Sequence, residues 1–180
     1  MLLFLSADAL MALTLFAAFA YLRWRAPHWP DAFHFASGLM AAAMTMFLLS
    51  GSFTMRAAVR AKQSGHGGRD ATARWLAITI ANWCCFLLLE SLEWFRLLVI
   101  VGVTLPNNPW NVPLFGASYY ILTGLHGLHV VAGIVYLTVV AIRRKDPRPA
   151  RWYVDFVGAM WLPLFFGLYL ASTDLQGLLE

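Results

Sequence analysis

The chain has 180 residues, of which 61% are apolar and only 12% charged, with a formal net charge of +4. Ordinary soluble domains carry about 25% charged residues and need them to cover the surface that folding leaves exposed. A composition this poor in charge excludes a water-facing globule and makes lipid the solvent for much of the surface. The positive charge does not point to nucleic acid, because the basic residues fall in short segments between apolar runs.

The first apolar run, Leu2–Leu22, has no Lys or Arg ahead of it and contains Asp8. Both features argue against a signal peptide and for a retained first membrane helix. A short polar segment, Arg23–Ala32, follows with Pro27 and Pro30, and leads to a second run, Phe33–Met55. The longest connection, Arg56–Arg74, holds Ser64-Gly65-His66-Gly67-Gly68. The third run, Trp75–Val103, carries the adjacent Cys84 and Cys85, which match no metal or redox spacing and read as small core residues. Pro106-Asn107-Asn108-Pro109 is a turn signal before the fourth run, Leu114–Ile142. The basic segment Arg143–Arg151 separates it from the fifth, Val154–Ser172.

About 20 apolar residues cross a bilayer core as a helix, and an open strand cannot satisfy its backbone in lipid. The predicted fold is therefore all-α: an integral membrane bundle of five transmembrane helices, about 2–22, 33–55, 75–103, 114–142 and 154–172. With short connections and no internal repeat, residues 1–180 read as one domain.

Basic residues set the orientation. Arg56, Arg60, Lys62, Arg69 and Arg74 lie between runs two and three, and Arg143, Arg144, Lys145, Arg148 and Arg151 between four and five. The opposite side has only Arg23 and Arg25. The positive-inside rule places the N-terminus in the cytoplasm and the C-terminus outside. Trp24, Trp29, Trp75, Trp110 and Trp152 fall near the predicted interfaces, where an aromatic belt is expected.

Ionisable groups inside a membrane cost a few kcal/mol each on insertion scales, so every one needs a partner or a purpose. Asp8, Glu90, Glu93, Arg96 and Asp155 are such groups, joined by His126 and His129. Glu93 and Arg96 stand i,i+3 and form a local pair on one helix face. Glu90 and Glu93 also share a face, which leaves two readings: a proton relay, or neutral carboxyls hydrogen-bonded between helices, the simpler of the two. Asp8 has no basic neighbour in its own helix, so it faces another helix, stays protonated or reaches the interface. His126 and His129 share a face with Gly133, and Gly124 and Gly127 permit close backbone approach. Two histidines i,i+3 cannot ligate one haem from opposite faces of its ring, so interhelical hydrogen bonding is the preferred reading. No nucleotide-binding, nucleophile-elbow or zinc-protease signature is present, and the chain offers no catalytic constellation of its own.

At these residues the chain resembles subunit III of the haem-copper oxidases, in its compact five-helix bacterial form. The stretch from Phe115 to Gly133, FGASYYILTGLHGLHVVAG, is similar to the family's FxSTFFxxTGFHGLHVxxG. Leu89-Glu90-Ser91-Leu92-Glu93-Trp94 resembles LQAxEY/W, with Glu90 in place of the usual Gln. Trp152–Trp161 resembles YWHFVDVVW, where Asp155 and Trp161 match and Tyr153 replaces His. The run Phe16-Ala17-Ala18-Phe19 resembles the aromatic end of the family's first-helix motif, which aligns Asp8 with a buried Glu.

The resemblance implies a non-catalytic accessory subunit of a proton-pumping terminal oxidase of aerobic respiration, in the bacterial inner membrane. It implies no haem or copper in this chain, those belonging to partner subunits, and bound phospholipid. It implies packing against subunit I, with subunit II and a small fourth subunit as further partners, and support of proton uptake and turnover stability. Asp8, Glu93 and Asp155 would be polar anchors inside the bundle. Two alternatives remain open: a subunit-III-like protein associated with nitric oxide reductase, and a stand-alone transporter or proton channel. The absence of discontinuous, repeat-related helices argues against the latter.

Overall fold

A computed structural model describes residues 2–26, 35–64, 68–109, 111–112 and 114–170. Phe33, the first-loop prolines Pro27 and Pro30, the turn around His66, Trp29, Trp110 and the end of the fifth span at Ser172 lie outside the described residues. Every regular element among the described residues is helical: α1 (Leu2–Arg25), α2 (Phe35–Gln63), α3 (Gly68–Phe95), α4 (Phe115–Ile142) and α5 (Arg148–Leu164). Arg96–Val101 extends α3, and Phe165–Leu170 extends α5, as wider π-helical turns.

Two of these boundaries have local causes. Pro163 inside α5 lacks an N–H and interrupts the normal ladder just before the π-helical turn. Gly102, at φ +80°, ends the extension of α3 in the left-handed conformation that glycine adopts freely. α5 begins with a Pro in its first turn, where no N–H is needed, and the Asp146 carboxylate accepts the Arg148 N–H at 3.0 Å.

α2 runs on past the predicted Met55 to Gln63, and α3 starts at Gly68 rather than near Trp75. The helices project beyond the apolar runs into the basic segment, and Arg60 and Lys62 in the last turn of α2 oppose the negative end of its dipole. Among the described residues, four helices are long and apolar enough by length and composition to cross a membrane: Leu5–Arg25, Gly38–Gln63, Phe115–Ile142 and Arg148–Tyr169. α3, with 28 residues, matches α4 in length. It carries Asn82, Glu90 and Glu93.

The helices form one bundle. α2 and α3 are the closest-packed pair, α5 lies against α2 and α4, α3 against α4, and α1 sits at the edge beside α5. The centre is aromatic: Phe86 meets Trp161 edge-on at 4.9 Å between centroids, and both touch the His126 ring. Single polar bonds stitch the pairs, including Thr54 to Thr79 at 2.8 Å and Trp161 Nε1 donating to Thr45 Oγ1 at 2.8 Å. Outward faces are apolar, with Leu10, Met46, Leu88, Ile121 and Leu128 all exposed. Such a surface suits lipid.

The two cysteines are not core residues. Cys84 is exposed and Cys85 half-buried, because the buried face of α3 runs through Thr79, Trp83, Phe86, Glu90 and Glu93, which leaves Cys84 outward and Cys85 at the flank. The two basic segments do share one end of the bundle, where Lys62 Nζ approaches the Arg144 carbonyl at 3.5 Å. At the other end, Arg23 Nη1 donates to the Gly167 carbonyl at 2.7 Å.

Candidate functional site

The predicted polar residues fall into distinct settings. Asp8, in α1, is buried and places Oδ2 2.8 Å from His129 Nε2 in α4. The other ring nitrogen of His129 lies 2.7 Å from the Leu125 carbonyl of its own helix. A carbonyl only accepts, so that nitrogen carries a hydrogen. Tyr153 of α5 donates to the His129 carbonyl at 2.9 Å, so three helices meet at this point.

His126 is fully enclosed one turn away, with Nε2 3.2 Å from the Val157 carbonyl. The same reasoning makes Nε2 the donor and leaves Nδ1 as an acceptor, buried with no hydrogen-bond partner. Glu90 lies across from Gly127: a Cβ at residue 127 would stand 2.8 Å from Glu90 Oε2. Its other oxygen, Oε1, is buried without a hydrogen-bond partner, and no ion pair reaches Glu90 among the described residues. Gly133 receives the Trp83 ring, and Gly124 the edge of Trp94. At Gly127 and Gly133 the missing side chain makes room for a neighbour that a methyl group would displace.

Glu93 is fully buried and bound by a two-pronged contact from Arg96, Nε to Oε2 and Nη2 to Oε1, both 3.1 Å. This planar fork is the strongest geometry available to a carboxylate. Arg96 begins the π-helical extension and stays partly exposed. The hydroxyls of Tyr119 and Tyr169 lie 3.2 Å apart, joining α4 to the extension of α5.

Asp155 is set apart from these groups. It sits half-buried at the bundle edge, 3.8 Å from Arg56 and 3.4 Å from Arg151. Its Oδ1 is enclosed, and because α5 starts at Arg148 the residue lies two turns in, within reach of basic residues.

Several contributors were not singled out from sequence. Trp94 Nε1 donates to Thr123 Oγ1 at 3.1 Å, Tyr120 donates to the Val103 carbonyl at 2.9 Å, and Arg23 clasps α5 as described. The signal that marks them is a polar tip on an aromatic or hydroxyl side chain inside an apolar run, which needs one partner when buried. Among the described residues no group of three His, Cys, Asp or Glu side chains could hold a metal ion.

Chemically, this arrangement holds helices together: each of these bonds joins two elements or closes a local pair. No family model matches the chain. Curated proteins do. "Cytochrome c oxidase subunit 3" of Synechocystis sp. is 31% identical over 183 residues, covering 93% of this chain and 72% of that protein. The protein of the same name in Corynebacterium diphtheriae is 30% identical over 151 residues, 78% of this chain and 70% of its own length. A "Probable cytochrome c oxidase subunit 3" of Mycobacterium tuberculosis is 28% identical over 176 residues, 92% of this chain and 83% of its own length.

Proposed function

The chain belongs to the haem-copper oxidase subunit III family, and on that premise we propose that it is the accessory third subunit of a proton-pumping terminal oxidase. In this reading it packs beside the haem-bearing subunit I in a bacterial inner membrane, N-terminus in the cytoplasm, with subunit II and a small fourth subunit in the same complex. It binds phospholipid and supports proton uptake and turnover stability, while oxygen reduction belongs to its partners. The names of the relatives favour cytochrome c as the electron donor.

The observation that carries this reading is the α4 seam. Gly124, His126, Gly127, His129 and Gly133, the heart of the resemblance, all face neighbouring helices and engage Trp94, Val157, Glu90, Asp8 and Trp83. Their surroundings are protein side chains and backbone, which suits a scaffold. The Asp8 contact with His129 supports a role in holding α1, and through it the faces that partner subunits meet.

The test is a mild-detergent purification of the tagged chain from its native membrane, with subunit identification and oxygen-consumption assays. Co-purified haem-bearing subunits and cytochrome c-dependent oxygen uptake are the expected result. Isolation of the chain with nitric oxide reductase subunits, or alone as an active haem-free transporter, would overturn the proposal.

A further inference from the structure

At the basic end of the bundle, the end of α2, the start of α3 and the end of α4 enclose a recess. Its inner wall is apolar, formed by Leu76, Val140 and Ala141, and its rim carries Lys62, Arg144 and Lys145. Asp70 lines the same recess. Two of the rim charges are not engaged within the protein. Lys62 makes one long contact to the Arg144 carbonyl and feels the nearby Asp146 charge, whereas the side chains of Arg144, Lys145 and Asp70 make no hydrogen bond or ion pair among the described residues.

Arg144 is also held in an unusual backbone conformation. It has φ +50°, in the left-handed region that glycine normally fills at the end of a helix. The Lys145 N–H bonds back to the Val140 carbonyl at 3.1 Å, closing the turn and setting Arg144 and Lys145 side by side on the rim. A glycine would form this turn with less strain. A strained residue at the mouth of a recess points to a function for its side chain.

We propose that this recess binds the headgroup of an anionic phospholipid, with the phosphate held by Lys62, Arg144 and Lys145. An apolar wall beneath a cationic rim matches the change from acyl ester to phosphate in a glycerophospholipid at the membrane surface. Asp70 adds selectivity: it repels further negative charge and accepts hydrogen bonds, so it suits a headgroup with hydroxyls, such as phosphatidylglycerol, over the donor-free choline headgroup. A free phosphate ion would meet the same cations but would leave the apolar wall unused. The inference rests on the lipid-binding part of the reading above and locates it; it does not depend on association with an oxidase.

The test uses the full chain in mild detergent. It is titrated by thermal shift with dihexanoyl phosphatidylglycerol, dihexanoyl phosphatidylcholine and inorganic phosphate, and native mass spectrometry counts retained phospholipid. Phosphatidylglycerol is expected to bind most tightly, and Arg144→Gly and Lys145→Gln each to weaken it about fivefold. Arg60→Gln, an equal loss of charge outside the recess, should change it by less than roughly twofold. Arg144→Gly relieves the backbone strain, so lost lipid binding in a chain that is no less stable separates a ligand role from a capping role. Asp70→Ala should narrow the preference for phosphatidylglycerol over phosphatidylcholine.

Unchanged phosphatidylglycerol binding in Arg144→Gly and Lys145→Gln would refute the site while leaving lipid binding intact. Inorganic phosphate binding as tightly as the lipid would make the ligand a phosphate ion and overturn the lipid assignment. A wild-type chain that retains and titrates with no phospholipid would remove this site and the lipid-binding reading together, with oxidase association still judged by the subunits that co-purify.

Discussion

Asp8 and His129 meet across the gap between α1 and α4 at 2.8 Å, with the second imidazole nitrogen already committed to the Leu125 carbonyl. A buried polar group facing another across two helices is what a site inside a membrane tolerates. α1 lies at the edge of the bundle, and Arg23 donates to the Gly167 carbonyl near the opposite end. Such polar clasps help hold a helix whose apolar surface lipid would solvate equally well.

Breaking the inner clasp should loosen α1 without disturbing partner chemistry. Asp8→Ala and His129→Ala are each expected to lower thermal stability, with a coupling energy of about 1 kcal/mol in a double-mutant cycle. In the purified complex, Asp8→Ala should leave the haem absorption spectrum unchanged and shorten activity lifetime during turnover. Additive single-mutant effects would mean that the two side chains do not act as a pair.

Gly133 in α4 and Gly38 in α2 should differ sharply in their tolerance of a methyl group. Gly133→Ala drives a side chain into the Trp83 ring and Tyr153 and should cost about 1–3 kcal/mol. Gly38→Ala meets nothing within 4 Å and should be neutral or stabilise the helix by up to about 1 kcal/mol. Thermal denaturation in one detergent compares them directly, and equal effects would contradict the packing described.

The Glu93–Arg96 fork gives a sign as well as a size. Arg96→Ala leaves a fully enclosed carboxylate without its partner and should destabilise by about 3 kcal/mol. Glu93→Gln combined with Arg96→Leu removes both charges and should recover most of that loss. A double variant as unstable as Arg96→Ala alone would show that the charge of Glu93 is not the source of the cost.

Asp146, in the turn before α5, lies below the ordinary carboxylate range because it accepts the Arg148 backbone N–H and faces the Arg148 guanidinium. A carboxyl depressed in the folded state contributes stability above its unfolded value, and that contribution is lost as pH falls through the lower, folded value. Asp146→Ala should cost less than about 1 kcal/mol at neutral pH, because solvent screens this exposed contact with Arg148. The difference from wild type should shrink on acidification below the ordinary carboxylate range, as followed by thermal melts over a pH series. A gap that stays constant with pH would assign the effect to something other than the carboxylate.

Composition and run length were enough to read an all-helical membrane bundle, because lipid demands long apolar helices and little else. The pairing of Glu93 with Arg96 was also legible, since an i,i+3 spacing fixes two side chains on one helix face. Contacts between helices were not. Nothing local in Asp8 names His129, 121 positions on, as its partner; that contact depends on how α1 is rotated and placed against α4. The same rotation decides that Cys84 turns outward while Glu90 turns in toward Gly127. Asp155 likewise has a partner no local pattern names, since Arg56 approaches it from α2. Sequence determined which residues the membrane would force to find partners, and only the packing of the helices decided which partners they found.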